Sequence, residues 1–75
     1  MNITIRTGLW ARRYIQQESL QLQLADGKVA ADALAELAIP ADEIGVVLVN
    51  GNVVSRGTAL NDGDILEVLP LIIGG

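Results

Sequence analysis

A chain of 75 residues with neither cysteine nor histidine must hold its fold together by apolar burial alone. A domain this small buries only about 60% of the surface its unfolded chain exposes, and chains smaller still usually need disulfides or a metal. Both staples are missing here. With them go a thiol nucleophile, an imidazole base and a zinc cluster. The material for a core is ample, since 51% of the residues are hydrophobic. Length allows one domain, residues 1–75, in which 70–75 form an extended C-terminal tail. No nucleophile–base pair can be assembled from these residues, so a conventional enzyme is the weakest reading, and no catalytic residue, no metal and no bound cofactor are expected.

Hydrophobic periodicity sets the order of elements. Asn2 to Thr7 alternates, with Ile3 and Ile5 on one side and Asn2, Thr4 and Arg6 on the other. Glu18 to Ala25 does the same with Leu20, Leu22 and Leu24. These two segments predict an antiparallel hairpin joined by a long loop, Gly8 to Gln17. After the Asp26-Gly27 turn, Val29, Ala33, Leu34 and Leu37 fall at helical spacing, which predicts a helix over Val29–Ala38, closed by Pro40. The run Val46-Val47-Leu48-Val49 has no alternation and reads as a central strand buried on both faces. Asn50-Gly51 is a strong hairpin signal leading to a short strand, Asn52-Val53-Val54. Ile65 to Leu69 is the last predicted strand. A hairpin, one helix and further strands define an α+β class: a mixed sheet of four to five strands with one main helix packed across it.

Nine acidic against five basic residues give a net charge of −4, which disfavours nucleic acid as a partner and suits docking on a basic protein surface. The start of the chain lacks a signal-peptide pattern, and no apolar run approaches the roughly 18 residues of a membrane span. A cytoplasmic protein with no membrane association is expected.

The strongest functional signal is at the end. The sequence stops at Gly74-Gly75 directly after an apolar strand and tail. At about 7% glycine, two consecutive terminal glycines arise by chance in roughly 0.5% of chains. Frayed ends are normally polar, whereas this one is apolar up to Ile73. A carboxylate that has to enter a partner's narrow channel is served by glycine, which has no Cβ and can lie close to another backbone. Leu69, Leu71, Ile72 and Ile73 are the candidate partner-binding residues, anchoring the tail in a groove by strand addition.

Three segments, in order and spacing, carry a resemblance: Val47-Leu48-Val49-Asn50-Gly51-Asn52-Val53-Val54, then Leu60-Asn61-Asp62-Gly63-Asp64, then Pro70-Leu71-Ile72-Ile73-Gly74-Gly75. Together they resemble the ubiquitin-like sulfur carriers of thiamin and molybdopterin biosynthesis, the ThiS/MoaD type, over nearly the whole chain. The resemblance implies a β-grasp fold. It also implies that the carboxylate of Gly75 is adenylated by a ubiquitin-activating-like adenylyltransferase using ATP and magnesium. A sulfur donor such as a cysteine desulfurase then supplies the sulfur of a thiocarboxylate, with Gly74 as the companion residue. Pro70 before the terminal segment, and Leu9-Trp10-Ala11-Arg12-Arg13-Tyr14 in the first loop, are more similar to the molybdopterin synthase small subunit. That points to the molybdopterin synthase large subunit as acceptor, in molybdenum or tungsten cofactor biosynthesis. Val68-Leu69 depart from the aromatic character common before that proline, and thiazole synthase of the thiamin pathway is the alternative. A protein modifier joined through Gly75 to target lysines is a second class of function, and a plain binding domain without tail chemistry a third.

Trp10 and Tyr14 are the only aromatic residues. Four apart on one turn, they share a face and read as a cover for the open end of a small core, with partner contact as the other reading. Asp62 and Asp64 flank Gly63 and read as a turn, because two carboxylates fall far short of the ligand set of a calcium loop.

Overall fold

Alternation in the first segments is realised as a strand pair. In the computed structural model, which describes residues 1–72, β1 (Asn2–Arg6) runs antiparallel to β2 (Ser19–Gln23), with Ile3 opposite Leu22 and Ile5 opposite Leu20. The chain continues through α1 (Ala30–Ala35), β3 (Ile44–Val49), β4 (Asn52–Val54) and β5 (Ile65–Pro70), with single 3₁₀ turns at Leu9–Ala11 and Ala41–Glu43. The five strands form one mixed sheet in the order β2-β1-β5-β3-β4. β1 and β5 are parallel, and the other pairs are antiparallel.

Ile3 and Ile5 of β1 and Leu66 and Val68 of β5 point to one face of the sheet and are fully buried. Ala30, Ala33 and Leu34 of α1 belong to the same core, with Ile39, Ile44, Val47 and Leu60. The helix starts where its free amides find partners. Ala30 and Ala31 donate to the carbonyls of Thr58 and Arg56 at 2.9 and 2.8 Å. The Asp32 carboxylate accepts the Val29 amide at 2.8 Å, the acidic half of a capping box.

Three expectations need correction. The helix spans six residues and not Val29–Ala38. Glu36 and Leu37 bond back three residues, to Ala33 and Leu34, tightening the last turn. Ile39 is buried yet precedes Pro40, so the chain has to leave helical geometry before Ile39. β3 is an interior strand but not the central one, a place held by β5. Nor is it buried on both faces: Ile44 and Val47 are buried, Leu48 is half-buried and Val46 is exposed. An apolar run has no period to tell a doubly covered strand from one with an open apolar face. Finally, Pro70 belongs to β5 and not to the tail.

Among the described residues, no helix is long and apolar enough to cross a membrane. The Asn50-Gly51 turn has the positive φ values, 51° and 86°, that a type I′ hairpin requires. The Asn50 side chain donates to Asp64 at 2.9 Å and accepts the Ile65 amide at 3.0 Å. Asp64 also accepts the Asn61 amide, and Asp62 the Asn2 amide. Both carboxylates are thus engaged in tying turns together, as the turn reading expects.

Candidate functional site

The end of β5 is built by three features that lie far apart in sequence. The first is Pro70, which has no N–H and is normally excluded from interior strands. The Leu71 amide donates to the Glu43 carbonyl at 2.8 Å, so amides at alternate positions of β5 face β3. The Pro70 nitrogen therefore faces the β1 side, and β1 pairs with β5 only as far as Glu67. The missing donor falls where there is no strand to receive it.

The second feature is Gly45. The β3–β5 register shifts between Ile44, opposite Pro70, and Val46, opposite Leu69, leaving Gly45 as a bulge. A Cβ at Gly45 would lie 2.6 Å from the Pro70 oxygen and 2.8 Å from the Leu71 Cα. Both are backbone atoms, so no side-chain rearrangement relieves the clash.

The third feature is Glu43. While its carbonyl holds Leu71, its carboxylate accepts hydrogen bonds from the Tyr14 hydroxyl and from Arg13, the latter at 2.9 Å. Those bonds, Tyr14 first and Arg13 second, hold the Glu43 carboxyl below its ordinary range. The same contact with Glu43 raises the Tyr14 hydroxyl, aided by burial. Trp10 adds a brace by donating its indole N–H to the Val68 carbonyl at 3.2 Å, beyond the end of the β1–β5 ladder. Trp10 and Tyr14 pack on the edge of the core, as the covering reading expects, but their polar atoms serve the last residues of β5 and the tail base.

Beside this end lies a groove of about 390 Å³ lined by Gly45, Val46, Leu69, Pro70, Leu71 and Ile72. It contains no charged residue. Of the candidate partner-binding residues, Leu69, Leu71 and Ile72 are exposed, Ile72 the most at 83%. Leu69 opposes Val46, and Leu48 opposes Val53, so the apolar surface continues from the tail base across β5, β3 and β4. Ile73, Gly74 and Gly75 lie outside the described residues. Among the described residues, no group of three or more acidic, histidine or cysteine side chains is placed to hold a metal ion.

The sequence did not single out Glu43 or Gly45. The signal that leads to Gly45 is Pro70 itself: a proline at the end of an apolar strand calls for an edge or a bulge nearby.

The five-stranded mixed sheet with one short helix on its inner face is a β-grasp, the ubiquitin-like architecture. The sequence matches the ThiS family over residues 10–75, and the chain belongs to that family. No curated protein sequence matches it. Among solved structures it is similar to the Haloferax volcanii HVO 2177 protein, at 28% identity over 100% of this chain and 87% of that one, with a TM-score of 0.83. It is similar in fold to small archaeal modifier protein 1 of H. volcanii, at 19% identity over 95% and 98% of the two chains, with a TM-score of 0.79. It is also similar in fold to a chain in the complex of subunits 1 and 2 of molybdopterin-converting factor from Helicobacter pylori 26695. That match has 23% identity over 100% of both chains and a TM-score of 0.67.

Proposed function

We propose that this protein is a sulfur carrier whose Gly75 carboxylate is activated and converted to a thiocarboxylate by partner enzymes. The observation that carries the reading is ThiS-family membership through residue 75, in a chain whose last residues are Gly74-Gly75. A ubiquitin-activating-like adenylyltransferase joins the carboxylate to the α-phosphate of ATP, with magnesium, and releases pyrophosphate. A sulfur donor such as a cysteine desulfurase presents a persulfide whose outer sulfur displaces AMP, and a thiol reductant then cleaves the resulting acyl disulfide to leave the thiocarboxylate. The carrier contributes presentation and no acid, base or metal, in keeping with a sequence that has no cysteine or histidine.

The acceptor we favour is the large subunit of molybdopterin synthase, in a cytoplasmic pathway of molybdenum or tungsten cofactor biosynthesis. The similarity to a molybdopterin-converting factor subunit and the placement of Pro70 support it. The uncharged groove at Gly45, Val46, Leu69 and Leu71 supplies a surface on which an apolar partner side chain can seat. Thiazole synthase is the alternative acceptor.

The deciding measurement is intact mass after incubation with ATP, a sulfur donor and each candidate activating enzyme in turn. The expected result is a mass gain equal to exchanging one oxygen for sulfur, lost when Gly75 is deleted. Accumulation of isopeptide-linked conjugates without that gain would instead establish a modifier, the role printed in the name of the archaeal structural relative.

A further inference from the structure

The first loop, the turn before β3 and the base of the tail are 25 or more residues apart in sequence, yet their hydrogen bonds brace the end of β5 from both sides. Trp10 binds Val68, Arg13 and Tyr14 bind the Glu43 carboxylate, and the Glu43 carbonyl binds the Leu71 amide. Gly45 leaves the space in which Pro70 and Leu71 cross β3. Leu71 has an exposed side chain but a fixed backbone, an unusual combination for the first residue after the last strand.

We propose that Gly45 and Glu43 form a clasp that fixes the direction in which the tail leaves the domain, and act as positioning residues for the reaction at Gly75. This rests on the carrier reading above. The physical argument is one of reach. Four residue steps separate Leu71 from Gly75 in the sequence, at most about 14 Å of extended chain. Releasing Leu71 moves the last tether to β3 back to Leu69, because Pro70 has no amide to donate. Six steps then separate the tether from the carboxylate. The local concentration of the carboxylate at a fixed target falls by about two-fold on chain length alone, and the starting direction is lost as well. The apolar side chains of Leu48, Val53 and Ile65, farther from the tail base, are untouched by that release. Loss of the clasp therefore slows the step after docking, in addition to any change it makes to the groove that Gly45 and Leu71 line.

The test combines two readouts on the full chain. In Gly45→Ala, amide exchange followed by NMR should show the Leu71 amide exchanging at least ten-fold faster while the Ile5 and Leu66 amides keep their protection. With saturating carrier and ATP, kcat for adenylation by the activating enzyme should fall at least three-fold, whatever the change in KM. A second pair covers the case in which Gly45→Ala disturbs the fold. Leu71→Pro and Leu71→Ala both lose the leucine side chain, but only proline also loses the amide. Leu71→Pro should therefore have the lower kcat, with the two KM values equal. A folded Gly45→Ala protein with native Leu71 protection, or with native kcat, overturns the proposal. So does equal kcat in the two Leu71 variants. If the wild-type protein is not adenylated by any activating enzyme, the carrier reading falls and the reaction role of the clasp with it. Leu71 exchange then still shows whether the clasp holds the tail base.

Discussion

The outward face of the sheet divides into two halves of opposite character. On β2 and β1 it presents Ser19, Gln21, Gln23, Asn2, Thr4 and Arg6. On β5, β3 and β4 it presents Ile65, Leu69, Val46, Leu48 and Val53, with Glu67 opposite Arg6 at the seam. Among the described residues, α1 covers the inner face and no element covers the outer one. The polar half needs no cover. The apolar half is a contiguous surface of the kind that marks interaction sites on small domains, and it adjoins the tail base. Leu71 and Ile72 adjoin the apolar half, so in the proposed function one partner holds that surface and receives the carboxylate.

The largest expected effect sharpens the contrast between the two faces within β5. Leu66→Ala should cost about 3 kcal/mol in urea unfolding, whereas Ile65→Ala, one residue away on the outer face, should cost less than about 1 kcal/mol. Equal costs would mean that the outer face is covered in solution. Next, Leu69→Asp on the apolar half should weaken binding to the activating enzyme by about 30-fold, the scale of a hot-spot residue, with unfolding stability retained. Gln21→Asp on the polar half should change affinity less than about two-fold by calorimetry, since isolated surface changes away from a contact matter little. Comparable losses in both would remove the distinction between the halves. Trp10→Phe keeps an aromatic ring, a smaller one, and loses the indole donor to Val68, so it should lower stability by at least about 1 kcal/mol.

The smallest effect is electrostatic. Tyr14 and Arg13 lower the folded-state pKa of Glu43, so their stabilisation is present above the unfolded carboxylate pKa and disappears as pH falls through the folded one. Titration from neutral pH into the acid range should loosen the Leu71 amide in the wild type. Glu43→Gln should flatten that dependence, with hydrogen exchange as the readout. An identical profile in both proteins would show that the carboxylate does not brace the tail.

How much of this was legible depended on whether a pattern is local. The alternation of Ile3, Ile5, Leu20, Leu22 and Leu24 gave β1 and β2 directly, and Asn50-Gly51 gave its hairpin, because each is decided within a few residues. The helix end was less legible. Leu37 fits the helical period, but Ile39 before Pro40 is drawn into the core, and tertiary burial overrides the continuation. The exposure of Val46 was hidden because a run of apolar residues looks the same under one cover or two. At the candidate site, Leu69, Leu71 and Ile72 were marked by their apolar character at the chain's end. Glu43 and Gly45 were not, since a glutamate in a turn and a glycine before a strand acquire meaning only once residues 70 and 71 are laid against them.

Trp10 is the only tryptophan, and its indole sits half-buried with its N–H on the carbonyl of Val68. The tryptophan fluorescence of this protein, excited selectively over Tyr14, is therefore a single-site optical reporter, built in beside the tail exit. A partner that closes over the end of β5 changes the polarity around one fluorophore, so emission wavelength and quenching by a neutral quencher can follow capture and release in real time, without a label on the tail.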